Sequence, residues 1–302
     1  YTFSQWNDGN TQNPRTVTVT QDATYTATFT PNTYTINANA NNPEWGSVSG
    51  GGTFPYGTTC IVHATPNEGC TFANWKEGNN TVCTEAEYSF TVTSDRNLQA
   101  NFTQNDYVIN VSANPTEGGT VTTNANGYHY GESCTATANA YYGYHFTNWT
   151  ENGNEVSTSA VYIFNVTSNR TLVANFTPNN YTITTEVTPD GSGTVTGGGT
   201  FVYNTTTTLE ATNNYGYTFS QWNDGNTENP RTVTVTQNAT YTATFTPNIY
   251  TITTELTPEG SGNVTGGGNY TYGSTATLSA SNNYGYTFSQ WNDGNTQNPR
   301  TV

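Results

Sequence analysis

The sequence predicts an all-β chain: a tandem array of ~70-residue modules, each a small β-sandwich or barrel-like unit, together forming an extended rod. Three observations predict it. The stretch Tyr217–Phe245 recurs almost unchanged as Tyr1–Phe29, with diverged copies at Cys70–Phe102 and Tyr144–Phe176 and a shortened one at Tyr286–Val302. Within each copy, apolar residues alternate with Thr and Asn at the period of a half-buried strand. Gly, Pro and Asn turns then interrupt the alternation every ~8–12 residues.

The Trp of each copy, at 6, 75, 149, 222 and 291, sets the register, with spacings of 69, 74, 73 and 69. Tyr34, Tyr107, Tyr181 and Tyr250 open the units. The chain therefore divides into residues 1–33 (the C-terminal half of a repeat), full repeats 34–106, 107–180 and 181–249, and a truncated repeat 250–302.

Repeat 181–249 reads element by element. Tyr181, Ile183 and Val187 share one face of a first strand. Pro189-Asp190-Gly191 turns the chain, and a second strand starts at Gly193. The glycines 197, 198 and 199 break or bulge it before Phe201-Val202-Tyr203. Leu209 and Ala211 mark the inward side of the next strand. Tyr217–Trp222 is an aromatic strand in which Phe219 and Trp222 violate strict alternation, so they face opposite sides or a bulge intervenes. Asn223-Asp224-Gly225-Asn226 is a turn, Val233 and Val235 alternate with Thr, and Tyr241, Ala243 and Phe245 form a last inward row. The expected core thus contains Trp6, Trp75, Trp149, Trp222 and Trp291 with Phe29, Phe102, Phe176 and Phe245. A unit this small is marginal alone, and packing between neighbours is expected to help it. Short joints such as Thr246-Pro247-Asn248 favour a stiff rod.

Composition narrows the function. Six Lys+Arg against 21 Asp+Glu give a net charge of −15, a poor footprint for nucleic acid or an anionic membrane surface. No apolar run reaches the ~18 residues needed to insert into a membrane. The chain starts inside a repeat and holds no Met, so residue 1 is not expected to be a native start.

These features resemble the divergent internalin B-repeat family, relatives of the Listeria–Bacteroides repeats. The residues carrying the resemblance are YTITTEVTPDGSGTVTGGGTFVYNTTTTLEATNNYGYTFSQWNDG followed by NPRTVTVTQNATYTATF, and it covers essentially the whole chain. The resemblance implies an extracellular, secreted or surface-attached bacterial protein whose repeats serve as stalk or interaction modules. It also implies a β-grasp-like fold with a short helix, for which this sequence leaves no clear room. It brings no catalytic residues and no cofactor.

Candidate chemistry is sparse. Asp8, Asp224 and Asp293, with Glu77 and Glu151 in the diverged copies, recur beside Asn residues as oxygen donors do around Ca²⁺. The spacing of a Ca²⁺ loop is missing, so a hairpin turn is the expected role, as for Glu44, Glu117, Asp190 and Glu259. Cys60 and Cys134 occupy places taken by Thr207 and Ala276 elsewhere, as small buried side chains do. Cys70 and Cys83 flank the Trp75 hairpin; a disulfide across it would suit an exported protein, with free thiols the other reading. His63, His129 and His145 are scattered and read as surface residues, and no Ser/His/Asp set recurs, so no enzyme is expected. The clusters Tyr141-Tyr142-Gly143-Tyr144 and Tyr284-Gly285-Tyr286 read as packing between repeats, with sugar stacking as the alternative. Ice binding is disfavoured by the long period. Lys76 is the only Lys, which excludes a Lys–Asn cross-link in every repeat.

The expected function is a structural stalk or fibre, with an adhesin or glycan-binding module using exposed Tyr and Trp as the alternative. The expected partner is the chain itself, with a glycan or host protein as the alternative partner. Tyr1–Val17 and Tyr286–Val302 are identical. Either the sequence is a window on a longer array, the favoured reading, or its ends complement each other between chains, strand into sheet. Both predict head-to-tail, filament-like assembly.

Overall fold

The computed structural model describes residues 1–302. It is all-β, and its single helical turn is a 3₁₀ turn at Thr116–Gly118. The chain forms two compact units, one of residues Tyr1–Asn139 and Phe146–Asn175, the other of Ala140–His145 and Phe176–Val302.

In the second unit, repeat 181–249 shows the plan. It has seven strands. The first, Asn180–Thr188, lies between Gly199–Val202 and the closing strand Ala239–Pro247, and the aromatic strand Tyr217–Trp222 completes a four-stranded sheet. Gly193–Thr196, Thr206–Asn213 and Arg231–Thr234 form a second sheet. Gly197 and Gly198 lie between strands of different sheets and Gly199 opens the second of them, which is why the alternation stops there.

First and closing strands run parallel, in register from Ile183↔Ala239 to Thr188↔Thr244; the other pairings are antiparallel. Between the sheets lies the core. Ile183, Trp222, Ala243 and Phe245 come from the first sheet, Leu209, Ala211 and Val233 from the second, and Val235 joins them. Gly193 is required by this packing, because a Cβ there would lie about 2.5 Å from the Phe245 ring.

The aromatic strand settles the alternation problem in favour of a bulge. Its register slips between Phe219 and Gln221, and this extra residue turns Phe219 and Trp222 to the same side, with ring centroids 5.5 Å apart.

In the first unit, repeat 34–106 follows the same plan. Thr33–Ala40 and Arg96–Gln104 are its parallel pair, with Gly52–Pro55, Cys70–Glu77 and Asn80–Cys83 in the same sheet. Gly46–Ser49, Thr59–Pro66 and Glu87–Thr91 form the other sheet. Ile109–Asn114 pairs in parallel with the strand that starts at Arg170, out to Asn175. Residues 1–33 hold one antiparallel pair, Thr2–Trp6 with Ala27–Thr30; no strand forms between 15 and 26, where alternation alone predicted one. That segment has no second sheet to pair with.

The core expectation divides accordingly. Trp75, Trp149 and Trp222 are fully buried, and Phe102, Phe176 and Phe245 are nearly so. Trp6 and Trp291 are only half-buried, and Phe29 is 54% exposed. These three belong to segments without a parallel pair, so one side of each ring has nothing to pack on.

Candidate functional site

Two constellations recur along the chain, one in every segment and one at the joints between repeats. One is an ion pair beside the core Trp. The carboxylate two residues after each Trp, expected only to shape a turn, also accepts hydrogen bonds from an arginine. In repeat 34–106, Arg96 donates Nη2 and Nε to Glu77 Oε2 at 2.9 and 3.1 Å, and Nη1 to the Tyr88 hydroxyl at 3.1 Å. Its guanidinium lies over the Phe90 ring, 4.4 Å from the centroid. Arg170 does the same with Glu151 at 2.8 Å, Tyr162 at 3.3 Å and Phe164 at 4.3 Å.

The Asp-bearing segments reach the same arrangement by another route. Arg231 Nη1 donates to both oxygens of Asp224 at 2.7 and 2.8 Å and lies over Tyr241. Arg15 pairs with Asp8 at 2.8 Å, and Arg300 with Asp293 at 2.7 Å. The Nε of Arg15, Arg231 and Arg300 is buried without a partner, so these clamps carry a desolvation cost that Arg96 and Arg170 avoid.

In every clamp the arginine hydrogen bond is the largest effect on the carboxylate. It holds Asp8, Glu77, Glu151, Asp224 and Asp293 below their ordinary range. All five arginines of the chain are used this way. Chemically the clamp is a neutralised pair, over an aromatic ring at Arg15, Arg96, Arg170 and Arg231. Arg96, Arg170 and Arg231 tie the end of the aromatic strand, or the turn just after it, to another strand.

Tyrosine and glycine form the second constellation, at the joints. In the second unit, Tyr203 of repeat 181–249 packs edge-on against Tyr142 and Tyr144, 5.9 and 5.8 Å between centroids. Its ring fills the notch left by Gly143, whose φ of +86° also disfavours a side chain. Asn179 locks the joint: its N–H donates to the Gly143 carbonyl at 2.8 Å, and its own carbonyl accepts from the Tyr203 N–H at 2.8 Å. The next joint repeats this with Tyr215, Gly216, Tyr217, Asn248 and Tyr272. In the first unit, Tyr130 fills the notch at Gly69, and the Asn105 N–H donates to the Gly69 carbonyl at 2.8 Å. Gly285 has no ring against it, and Tyr284 is fully exposed.

The remaining expected site residues do not converge. Cys60 and Cys134 are buried and reduced, and Cys134 donates its thiol to the Tyr128 hydroxyl at 3.2 Å. Cys70 and Cys83 are free thiols, the second of the two readings their positions allowed. Hairpin register explains this: Cys83 lies opposite Trp75, while Cys70 lies at the far end of its strand, opposite Gln104. Five residues of strand separate the two thiols, roughly 17 Å. Glu44, Glu117, Asp190 and Glu259 are exposed turn residues. His63 and His129 are about half exposed and pair with Glu87 and Asp106; His145 bonds Asn179 at 2.8 Å. No group of three or more His, Cys, Asp or Glu is placed to hold a metal ion. No helix is long and apolar enough to cross a membrane.

The model of the divergent InlB B-repeat domain matches residues 34–106, 109–180, 183–249 and 252–302. The chain belongs to this family. No curated protein matches it. Among solved structures, the Bacillus anthracis TIE protein is similar at 9% identity and a TM-score of 0.35, over 73% of this chain and 53% of that one. This chain thus spans about half the length of that protein. A variant of the major pilin of Streptococcus pyogenes aligns at 11% identity and a TM-score of 0.11, over 72% of this chain and 98% of the pilin.

Proposed function

We propose that the chain is a structural, non-catalytic segment of an exported bacterial surface protein: a stalk or fibre of tandem β-modules. The observation that carries this reading is where the chemistry-bearing residues go. Each arginine closes a clamp inside its own segment. Successive repeats meet through tyrosine, glycine and asparagine. Trp75, Trp149 and Trp222 are buried and leave no indole face for a ligand.

The proposed partner is a further repeat of the same type. In residues 252–302, the segments Thr253–Leu256 and Tyr286–Asn292 border a groove of about 710 Å³. Their counterparts in the preceding repeat flank the closing strand there. A strand of that kind is its proposed occupant, whether from further residues of the same chain or from another copy.

An adhesin is the second reading, favoured by the outward faces of Tyr141, Tyr142 and Tyr215, which are 50%, 67% and 80% exposed. Labelling intact producing cells with an antibody against the chain tests surface display; a signal only after lysis overturns it. A glycan array separates the two readings. Selective binding abolished by Tyr215→Ala favours the adhesin, and no binding favours the stalk.

A further inference from the structure

We infer that each complete repeat is a shear-loaded mechanical clamp, built to carry tension along the chain. The inference deepens the structural reading and rests on it for its use in the cell, but its test needs no cell.

The load path is set by where the chain enters and leaves a repeat. It enters at the N-terminal end of the first strand and leaves at the C-terminal end of the closing strand. These two strands are direct neighbours, and they run parallel. Three repeats share this arrangement: Ile36↔Arg96 to Ala40↔Ala100, Ile109↔Arg170 to Asn114↔Asn175, and Ile183↔Ala239 to Thr188↔Thr244.

Entry and exit therefore lie at opposite ends of one hydrogen-bonded ladder. Tension applied through the chain slides the two strands past each other. All the ladder bonds between them take the load together and must yield together. Had the strands been antiparallel, entry and exit would share one end, and the bonds would peel one at a time.

Side chains reinforce the same pair. Asn41, just past the first strand of repeat 34–106, bridges to the closing strand: its Nδ2 donates to the Phe102 carbonyl at 3.0 Å and its Oδ1 accepts from the Phe102 N–H at 2.9 Å. Asn37 Nδ2 donates to Asn97 Oδ1 at 2.9 Å, and Asn114 Nδ2 to Asn175 Oδ1 at 3.2 Å. In repeats 34–106 and 109–180 the arginine clamp ties the closing strand to the aromatic strand as well: Arg96 and Arg170 sit at the start of the closing strand. Sliding the closing strand must break that ion pair too.

Residues 252–302 supply an internal control. With the strand Ile249–Ile252 that leads into them, they hold three antiparallel pairs, Ile249–Ile252 with Gly268–Thr271, Gly262–Thr265 with Thr277–Asn282 and Thr277–Leu278 with Arg300–Thr301, and no parallel pair. They should yield at low force.

The test is single-molecule stretching of the whole chain, held at its two ends. The expected trace has three high-force events. Each releases about 20 nm of contour length, the extended length of ~70 residues less the folded span. The last segment and residues 1–33 extend without a comparable peak. A second measurement isolates geometry. With Cys60→Thr, Cys134→Ala, Cys70→Ser and Cys83→Ser in place, handles at Thr184→Cys and Thr240→Cys pull one repeat across its parallel pair, because these exposed residues are register partners. The unfolding force of that repeat should then fall at least twofold. Equal forces in the two directions, or fewer than three high-force events in the first trace, overturn the inference. The labelling of cells has no bearing on either trace, so this inference and the surface reading can fail separately.

Discussion

Arg231 places one nitrogen on both oxygens of Asp224, whereas Arg96 reaches the corresponding carboxylate, Glu77, from a different strand. The two arginines are not aligned in sequence. Arg231 lies opposite Leu209 in the second sheet, the place that Tyr88 holds opposite Val62 in repeat 34–106. Arg96 stands where repeat 181–249 has Ala239. The guanidinium is kept while both its backbone position and its supporting ring change: Tyr241, under Arg231, lies two residues after Ala239 on the closing strand.

The clamp predicts a graded loss on truncation. Arg96→Ala should lower stability of its repeat by about 1–2 kcal/mol, from charge-assisted bonds discounted for solvent screening plus the contact with Phe90. Urea unfolding of the full chain, followed in that repeat by hydrogen exchange, reads it. Glu77→Gln should cost less, because the amide still accepts a hydrogen bond. An Arg96→Ala chain as stable as the parent would contradict a role for the pair.

Acid should loosen the clamps. The carboxylates of Glu77, Glu151 and Asp224 are held below their ordinary range in the folded chain. Unfolded, they bind protons more readily. Their contribution is therefore fully present above the ordinary carboxylate pKa of about 4 and is lost as pH falls through the depressed folded values. Melting temperature should hold between pH 7 and 5 and drop below pH 4. Arg96→Ala should flatten the drop in its own repeat.

The core makes the largest single prediction. Trp222→Ala removes a fully buried ring that also donates its Nε1–H to the Glu228 carbonyl at 2.8 Å. The expected loss is roughly 3–5 kcal/mol. Trp291→Ala should cost clearly less, since that ring is half-buried. Thermal unfolding followed by tryptophan fluorescence compares the two.

At the joint, Gly216→Ala sets a methyl against the Tyr272 ring at a backbone φ of +86°. A cost of about 1–3 kcal/mol is expected for the strain. Pairing it with Tyr272→Ala should recover part of that loss, because the collision is gone while the φ cost stays. If the two losses simply add, the notch is not where the rings meet.

Much of the fold was legible because the physics was local. Alternation at Tyr181–Val187 and the turn residues at 189–191 depend on neighbours alone. The buried Trp rows repeated often enough to be read as core. What escaped was long-range. Nothing in the alternation says that Asn180–Thr188 pairs in parallel with Ala239–Pro247. The arginine clamp hid because its partner sits 19 residues beyond the carboxylate at Glu77 and Glu151 but 7 beyond it at Asp8, Asp224 and Asp293. The signal was present: one arginine per segment, its position switching with Glu or Asp. Cys70 and Cys83 looked close because a hairpin joins them, yet register separates them.

The parallel pair that closes each repeat is the centre of the account, and amide hydrogen exchange on the intact chain tests it most directly. Residues 33–40, 109–114 and 180–188, with their partners 96–102, 170–175 and 239–244, should be the slowest to exchange, while residues 15–26, which hold no strand, exchange fastest. Exchange in 180–188 and 239–244 as fast as in 15–26 would contradict the parallel closure.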